Sequence, residues 1–193
     1  RGWAAIALSS ADRHDHRCWE FEVDGPRAVR ALAAFRRAHG LSQKPIAALG
    51  ASSGGAFVLQ LAAVMPLTAI VPQIMAIPPH MLRPYAEGGK GGKGGRGAVF
   101  PPTLFVHMGR DERTAERVRR CINHLHASGS RAAEVVCSPL PLTPHFFSSR
   151  IASLAPADSK ELFTAFRGSG LLLDDGHLRD DPRRSNWREV VQA

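Results

Sequence analysis

A short glycine-rich stretch carries the strongest chemical signal in this sequence. Residues 47 to 56 read ALGASSGGAF, so Ser52 stands two positions after Gly50 and two positions before Gly54. A serine held in a sharp turn from a strand into a helix needs small neighbours, because the chain passes close to itself there. The spacing predicts that Ser52 is a nucleophile at the apex of such a turn. Two alternatives stay open: Ser52 only caps the following helix, or Ser53 is the nucleophile.

A serine hydroxyl is a weak nucleophile, so it needs a histidine to take its proton and a carboxylate to orient that histidine. Candidate partners follow two later apolar runs: Asp111 comes after TLFVHMGR, and His145 comes after EVVCSPLPLTP. Residues at the carboxyl ends of parallel strands line one crevice, where distant positions can converge. Asp111 has the alternative role of a helix cap or a partner of Arg110, with Glu112 beside it. His177 is the second candidate for the base.

These candidate residues must be positioned by strands and helices, and the sequence predicts that strands and helices alternate along the chain. Pro72 lies in one predicted strand although it has no ladder donor, so that strand either stops at Val71 or is locally irregular. A capping pattern from Asp158 to Glu161 predicts the start of one helix, which Gly168 or Gly170 closes. The predicted strands are 3–10, 45–49, 68–77, 101–107 and 132–138; the predicted helices are 26–39, 56–65, 114–129, one from Asp158, and a last one near Pro182 that buries Trp187, Val190 and Val191.

This alternation predicts the α/β class, with a mainly parallel sheet and helices on both of its faces. A chain of 193 residues suits one domain, which we expect to cover residues 1–193. Within it, residues 87–97 read EGGKGGKGGRG and have too few apolar groups to order themselves, so a low-complexity loop is predicted there.

Composition narrows the classes of partner. The net charge of +8 permits attraction to nucleic acid, but aromatic residues make up only 7% and the arginines are spread along the chain. No nucleic-acid partner is therefore expected, and a basic binder using the Gly/Lys loop is the least favoured class. Prolines and polar residues interrupt the longest apolar region, 56–77, so no transmembrane segment is predicted. Three cysteines at unrelated spacings predict neither a disulfide framework nor a zinc finger, and they favour a reducing compartment.

The remaining histidines have simpler interpretations than catalysis. His107 lies at a predicted strand end, where a packed or hydrogen-bonded role is expected. His124 and His126 fall in the last turn of a predicted helix, where positive charge is favourable. No metal site is predicted, although one polar loop contains potential ligands without a second cluster at structural-zinc spacing: His14, Asp15, His16 and Cys18.

Taken together, LGASSGG, TLFVHMGRDERT and PHFF resemble the nucleophile elbow, the acid-bearing turn and the histidine segment of the α/β-hydrolase fold. That resemblance implies Ser52 as nucleophile, Asp111 as acid and His145 as base. It also implies that the Ser53 backbone N–H contributes to an oxyanion hole, and that Gly50 and Gly54 permit the elbow. The implied activity is hydrolysis of an ester, thioester or amide in a small-molecule or peptide acyl substrate, without a cofactor.

The sequence departs from that family in its first part. The early strands are missing, including the one whose loop supplies the second oxyanion donor, and that strand normally lies between the equivalents of 3–10 and 45–49. Either a gap or a direct pairing of these two segments is expected. The chain begins with Arg1, and we expect it to be part of a longer hydrolase or a degenerate one. A noncatalytic hydrolase-like domain that binds a ligand or a protein is the alternative function.

Overall fold

Four parallel strands form the sheet of this protein, in the order β1-β2-β3-β4. The computed structural model describes residues 2–12, 14–15, 17–85 and 99–192. The predicted α/β class with a parallel sheet is therefore confirmed. The predicted loop at 87–97 lies outside the described residues. The strands are β1 Ala47–Ala51, β2 Ala69–Gln73, β3 Thr103–Met108 and β4 Ala132–Cys137; the helices are α1 Phe21–Ala38, α2 Ser53–Leu61, α3 Glu112–Ala127, α4 Pro156–Gly168 and α5 Trp187–Gln192, with 3-10 turns at Pro79–Met81 and Pro182–Arg184.

The described residues form two compact units, which meet in sequence between Cys137 and Ser138. The first unit contains the sheet with α1 to α3, and the second contains α4 and α5. A single domain across the chain stays a prediction.

One face of the sheet builds the core of the first unit. In-register residues of the four strands, Ala48, Ile70, Thr103 and Ala132, point to the same side. Phe105 lies on that side as well, and it is completely buried together with Val118 and Cys121 of α3. Residues of α1 and α2 enter the same core. On the opposite face, apolar side chains stay exposed at Leu49, Leu104, Met108 and Val135.

Pro72 lies inside β2 rather than beyond its end. It is fully buried and pairs in register with Gly50. On the β3 side, the N–H groups of Ile70 and Ile74 donate to the carbonyls of Pro102 and Val106. Pro72 stands between these two donors and has no N–H, so the β2–β3 ladder lacks one bond at this position. The strand therefore continues through the proline.

The predicted first strand is wrong. Residues 3–10 are not assigned to a strand, and Trp3 is 94% exposed. An extended segment becomes a strand only when a neighbour accepts and donates its backbone hydrogen bonds, and among the described residues β1 pairs only with β2. The direct pairing of 3–10 with β1 is thus not formed.

Of the helices that begin earlier than predicted, the first and the fourth have a clear local reason. The first helix begins at Phe21, because the buried carboxylate of Asp24 accepts the backbone N–H groups of Ala11 and Glu20 and fixes the chain before Pro26. The fourth begins at Pro156, whose missing N–H costs nothing in a first helical turn. Asp158 therefore lies inside the helix instead of capping it.

The last predicted helix is divided. A 3-10 turn at Pro182–Arg184 precedes α5, which begins only at Trp187. Trp187 and Val190 pack against the small core of the second unit, as predicted, but Val191 is 47% exposed. A helix of six residues presents only one narrow apolar face, so one valine of the pair points away.

Candidate active site

Ser52 joins β1 to α2 with an unusual backbone conformation. Its torsion angles are φ 53° and ψ −124°, in a region that residues with a side chain rarely occupy. The Ser52 N–H donates to the carbonyl of Gln73 at 3.0 Å, and its own carbonyl accepts the N–H groups of Gly55 and Ala56. The turn is thus held from both sides, by β2 and by the first turn of α2.

Close contact between backbone segments explains the glycines around Ser52. A Cβ on Gly50 would lie 2.1 Å from the carbonyl oxygen of Gly54, and no side chain fits there. A Cβ on Gly55 would lie 3.1 Å from the Gln73 carbonyl, whereas one on Gly54 would meet only Trp19, at 3.5 Å. Position 50 therefore requires glycine, as predicted. The second position at which a side chain would be crowded is 55, whereas position 54 has room for a Cβ.

The hydroxyl of Ser52 makes no capping hydrogen bond to α2. The helix-cap alternative therefore does not describe what this side chain does. Ser53 differs, because its hydroxyl accepts the backbone N–H of Trp19 at 3.2 Å. That contact attaches the segment before α1 to the elbow, and it gives the Ser53 side chain a structural role.

The backbone N–H of Ser53 is the first of α2 and has no acceptor within its own helix. Such N–H groups at the start of a helix can stabilise a developing negative charge, particularly beside the positive end of the helix dipole. The predicted oxyanion role of Ser53 is compatible with this position, and it stays a prediction.

Asp111 is the residue that precedes α3, and its carboxylate caps that helix. One oxygen accepts the Thr114 N–H at 3.1 Å, and the other accepts the Thr114 hydroxyl at 2.9 Å. Asp111 follows β3 and Ser52 follows β1, so both lie at the carboxyl edge of the sheet with β2 between them. The capping alternative is what the geometry shows, while the role as catalytic acid stays a prediction.

The two histidine candidates belong to the second unit. His145 is exposed in a turn, where its carbonyl accepts the Ser149 N–H. His177 has both ring nitrogens near an oxygen: Nδ1 is 3.1 Å from Asp175 Oδ2, and Nε2 is 3.3 Å from the Pro139 carbonyl. Hydrogen bonds from the backbone N–H and the side chain of His177 lower the pKa of Asp175. Which histidine serves Ser52 stays a prediction.

Two of the histidines with simpler roles predicted from the sequence make side-chain contacts that fit those roles. His107 is 2% exposed, and its Nε2 lies 2.8 Å from a carboxylate oxygen of Glu134 on the neighbouring strand. His126, in the last turn of α3, places Nε2 2.9 Å from the carbonyl of Ala132. In the polar loop with His14, Asp15 and Cys18, His16 lies outside the described residues. Among the described residues, no three His, Cys, Asp or Glu side chains are placed to hold a metal ion.

Trp19 contacts the elbow although nothing in its sequence surroundings predicts this. Its indole ring lies 4.4 Å from the ring of Phe57 in α2, measured between centroids, and its Nε1 lies beside Gly54. The surrounding sequence, DRHDHRCWEF, is a polar loop by composition, and only the fold brings it to α2. Trp19 thus packs against α2 beside its first turn.

None of the helices in the described residues is both long enough and apolar enough to cross a membrane. No protein-family profile matches the chain, and no curated protein sequence does either. Among solved structures, it is similar to an acylaminoacyl peptidase in complex with Z-Gly-Gly-Phe-chloromethyl ketone, at 12% identity and a TM-score of 0.41. It is also similar to the Pyrococcus horikoshii acylaminoacyl peptidase, at 12% identity and a TM-score of 0.42. In both cases 88% of this chain is covered, and the chain spans 30% of the other's length.

Proposed function

We propose that this chain is a serine hydrolase that cleaves an ester, thioester or amide through an acyl-enzyme on Ser52. The observation that carries the proposal is the conformation of Ser52, at φ 53° and ψ −124°, together with a hydroxyl that does not cap α2. A residue with a side chain in this region costs of order 1–3 kcal/mol, and such strain clusters at active sites. The start of a helix does not require this conformation, whereas a sharp strand-to-helix turn that presents a nucleophilic serine is typically strained.

Each remaining residue has a defined part in the proposed reaction. The Ser52 hydroxyl attacks the acyl carbon while His145 accepts its proton, and the developing oxyanion receives the Ser53 N–H. His145 then protonates the leaving group, after which water attacks the acyl-enzyme by the reverse route. Asp111 orients His145.

A fluorophosphonate probe tests the nucleophile. The unsubstituted chain should be labelled, S52A should lose labelling, and S53A should retain it, because S53A removes a hydroxyl of the same turn but keeps the backbone N–H. A chain that is folded but unlabelled would contradict the proposal, as would labelling of S52A at the rate of the unsubstituted chain.

The same probe identifies the base. H145A should reduce the labelling rate by about 10²-fold or more, since general-base catalysis typically contributes that much. H177A is the matched control, as it removes a histidine of the second unit that already has two oxygen neighbours. If only H177A lost labelling, the base would be His177 and the assignment of His145 would be wrong.

A noncatalytic hydrolase-like domain is the second candidate function. The observation that favours it is the Asp111 carboxylate, whose bonds to Thr114 explain its presence without any reaction. This candidate predicts a folded chain with no labelling at Ser52, so the probe separates the two functions directly.

A further inference from the structure

We infer that a second binding site, independent of Ser52, takes a small organic anion in a cavity between α3 and the loop that follows β2. The cavity has a volume of about 270 Å³. Typical small-molecule pockets start near 300 Å³, so this one accommodates a single ring or a comparably short apolar group with one charged head. Its described lining residues are Ala76, Ile77, Pro78, Pro79, Arg117 and Arg120.

Two arginines supply the charge of the site. Arg117 and Arg120 are three residues apart on α3, which puts their side chains on neighbouring positions of one helix face. A guanidinium has five donors in a planar fork that matches a carboxylate or phosphoryl group. Arg120 is paired with Glu116 in the structure, whereas among the described residues Arg117 has no ion-pair partner. Arg117 is therefore the cation available to a ligand.

The other side of the cavity is apolar and fixed. Ala76 and Ile77 are 4% and 6% exposed, and two prolines follow them. The thiol of Cys121, one residue beyond Arg120, donates to the carbonyl of Ile77 at 3.1 Å and ties the loop to α3. Burial raises the pKa of Cys121 to about 11, so the thiol stays neutral and adds no negative charge beside the arginines. This wall favours an apolar group over a bare ion.

The arginines and the apolar wall of the cavity together favour one class of ligand. An aryl or short alkyl compound with a carboxylate or phosphoryl head places its charge at Arg117 and its apolar part against Pro78 and Pro79, which are the less buried members of the apolar lining. Inorganic phosphate fills only the charged half. We therefore expect phenyl phosphate to bind more tightly than inorganic phosphate, and benzoate serves to distinguish a carboxylate head from a phosphoryl head.

Calorimetric titration with phenyl phosphate tests the site. R117Q should weaken binding about tenfold, because the ligand loses its hydrogen bonds to the charged guanidinium. R113Q removes the same charge from the same helix but outside the lining residues, and it should change affinity less than twofold. E116Q should tighten binding, since it releases Arg120. S52A should bind as the unsubstituted chain does, which keeps this test separate from that of the proposed hydrolase.

Three results would overturn the inference. Equal losses in R117Q and R113Q would mean that general positive charge attracts the ligand. Equal affinities for phenyl phosphate and inorganic phosphate would remove the role of the apolar wall. A folded chain without measurable binding to either probe or to benzoate would exclude the site.

Discussion

Ser52 and Asp111 occupy equivalent places in the fold, since each stands between a parallel strand and the helix that follows it. Asp111 has ordinary negative φ, at −92°, and bonds to Thr114 through both carboxylate oxygens. Ser52 has φ 53° and no capping bond. Helix stability accounts for the first residue, but it does not account for the second. The comparison teaches that a serine before a helix is informative when its backbone is strained and its side chain leaves the helix uncapped.

The largest expected effect is at Gly50. G50A should destabilise the chain by at least about 3 kcal/mol or prevent folding, because its Cβ would lie 2.1 Å from the Gly54 carbonyl oxygen. G54A is the matched control, with only an ordinary contact to Trp19 at 3.5 Å. Urea unfolding measures both variants. Equal stabilities for the two would show that the elbow is not held by close backbone contact.

A smaller effect on the free energy of unfolding is expected from substituting Asp111, and almost none from substituting Ser52. D111A should lower the free energy of unfolding by about 1 kcal/mol, because α3 loses its cap. S52A should change it by less than about 0.5 kcal/mol, since no capping bond is lost at α2. The measurement is again urea unfolding at neutral pH. A loss in S52A as large as in D111A would mean that the Ser52 hydroxyl does stabilise its helix.

The smallest effect concerns Asp175, a carboxylate bonded locally as Asp111 is, but in an exposed turn. The His177 backbone N–H and side chain lower its pKa below the ordinary 3.8. Its contribution to stability is therefore present above pH 3.8 and is lost as the pH falls through the lowered pKa of the folded chain. The difference in urea midpoint between the unsubstituted chain and D175N should shrink between pH 7 and pH 3. A difference independent of pH would contradict this assignment.

Much of the fold follows from local patterns. The β3 and α3 segments were predictable because a short apolar run and a helical periodicity are both patterns of consecutive residues, and α3 begins within two residues of its predicted start. The turn at Ser52 was predictable because glycine is required where backbone segments touch. The sequence also pointed to Pro72 as an irregular position, although not to a strand that continues through it.

The same local patterns could not predict contacts between residues that are far apart in the sequence. Residues 3–10 have the apolar character of a strand, but a strand exists only where a neighbour pairs with it. The start of α1 depends on Asp24 bonding to Ala11, 13 residues away, and the contact of Trp19 with Ser53 joins residues 34 apart. No local pattern encodes such partners, so they appear only in the folded chain.

The sequence by itself determined the alternation of strands and helices, the parallel class of the sheet and the small residues of the turn at Ser52, because these depend on neighbours along the chain. Only the tertiary structure decided that Gly55 rather than Gly54 is the second tight position, that Asp111 caps α3, and that the Ser52 hydroxyl makes no such bond. The reason is physical: a backbone torsion angle and a hydrogen-bond partner are set by what surrounds a residue in space.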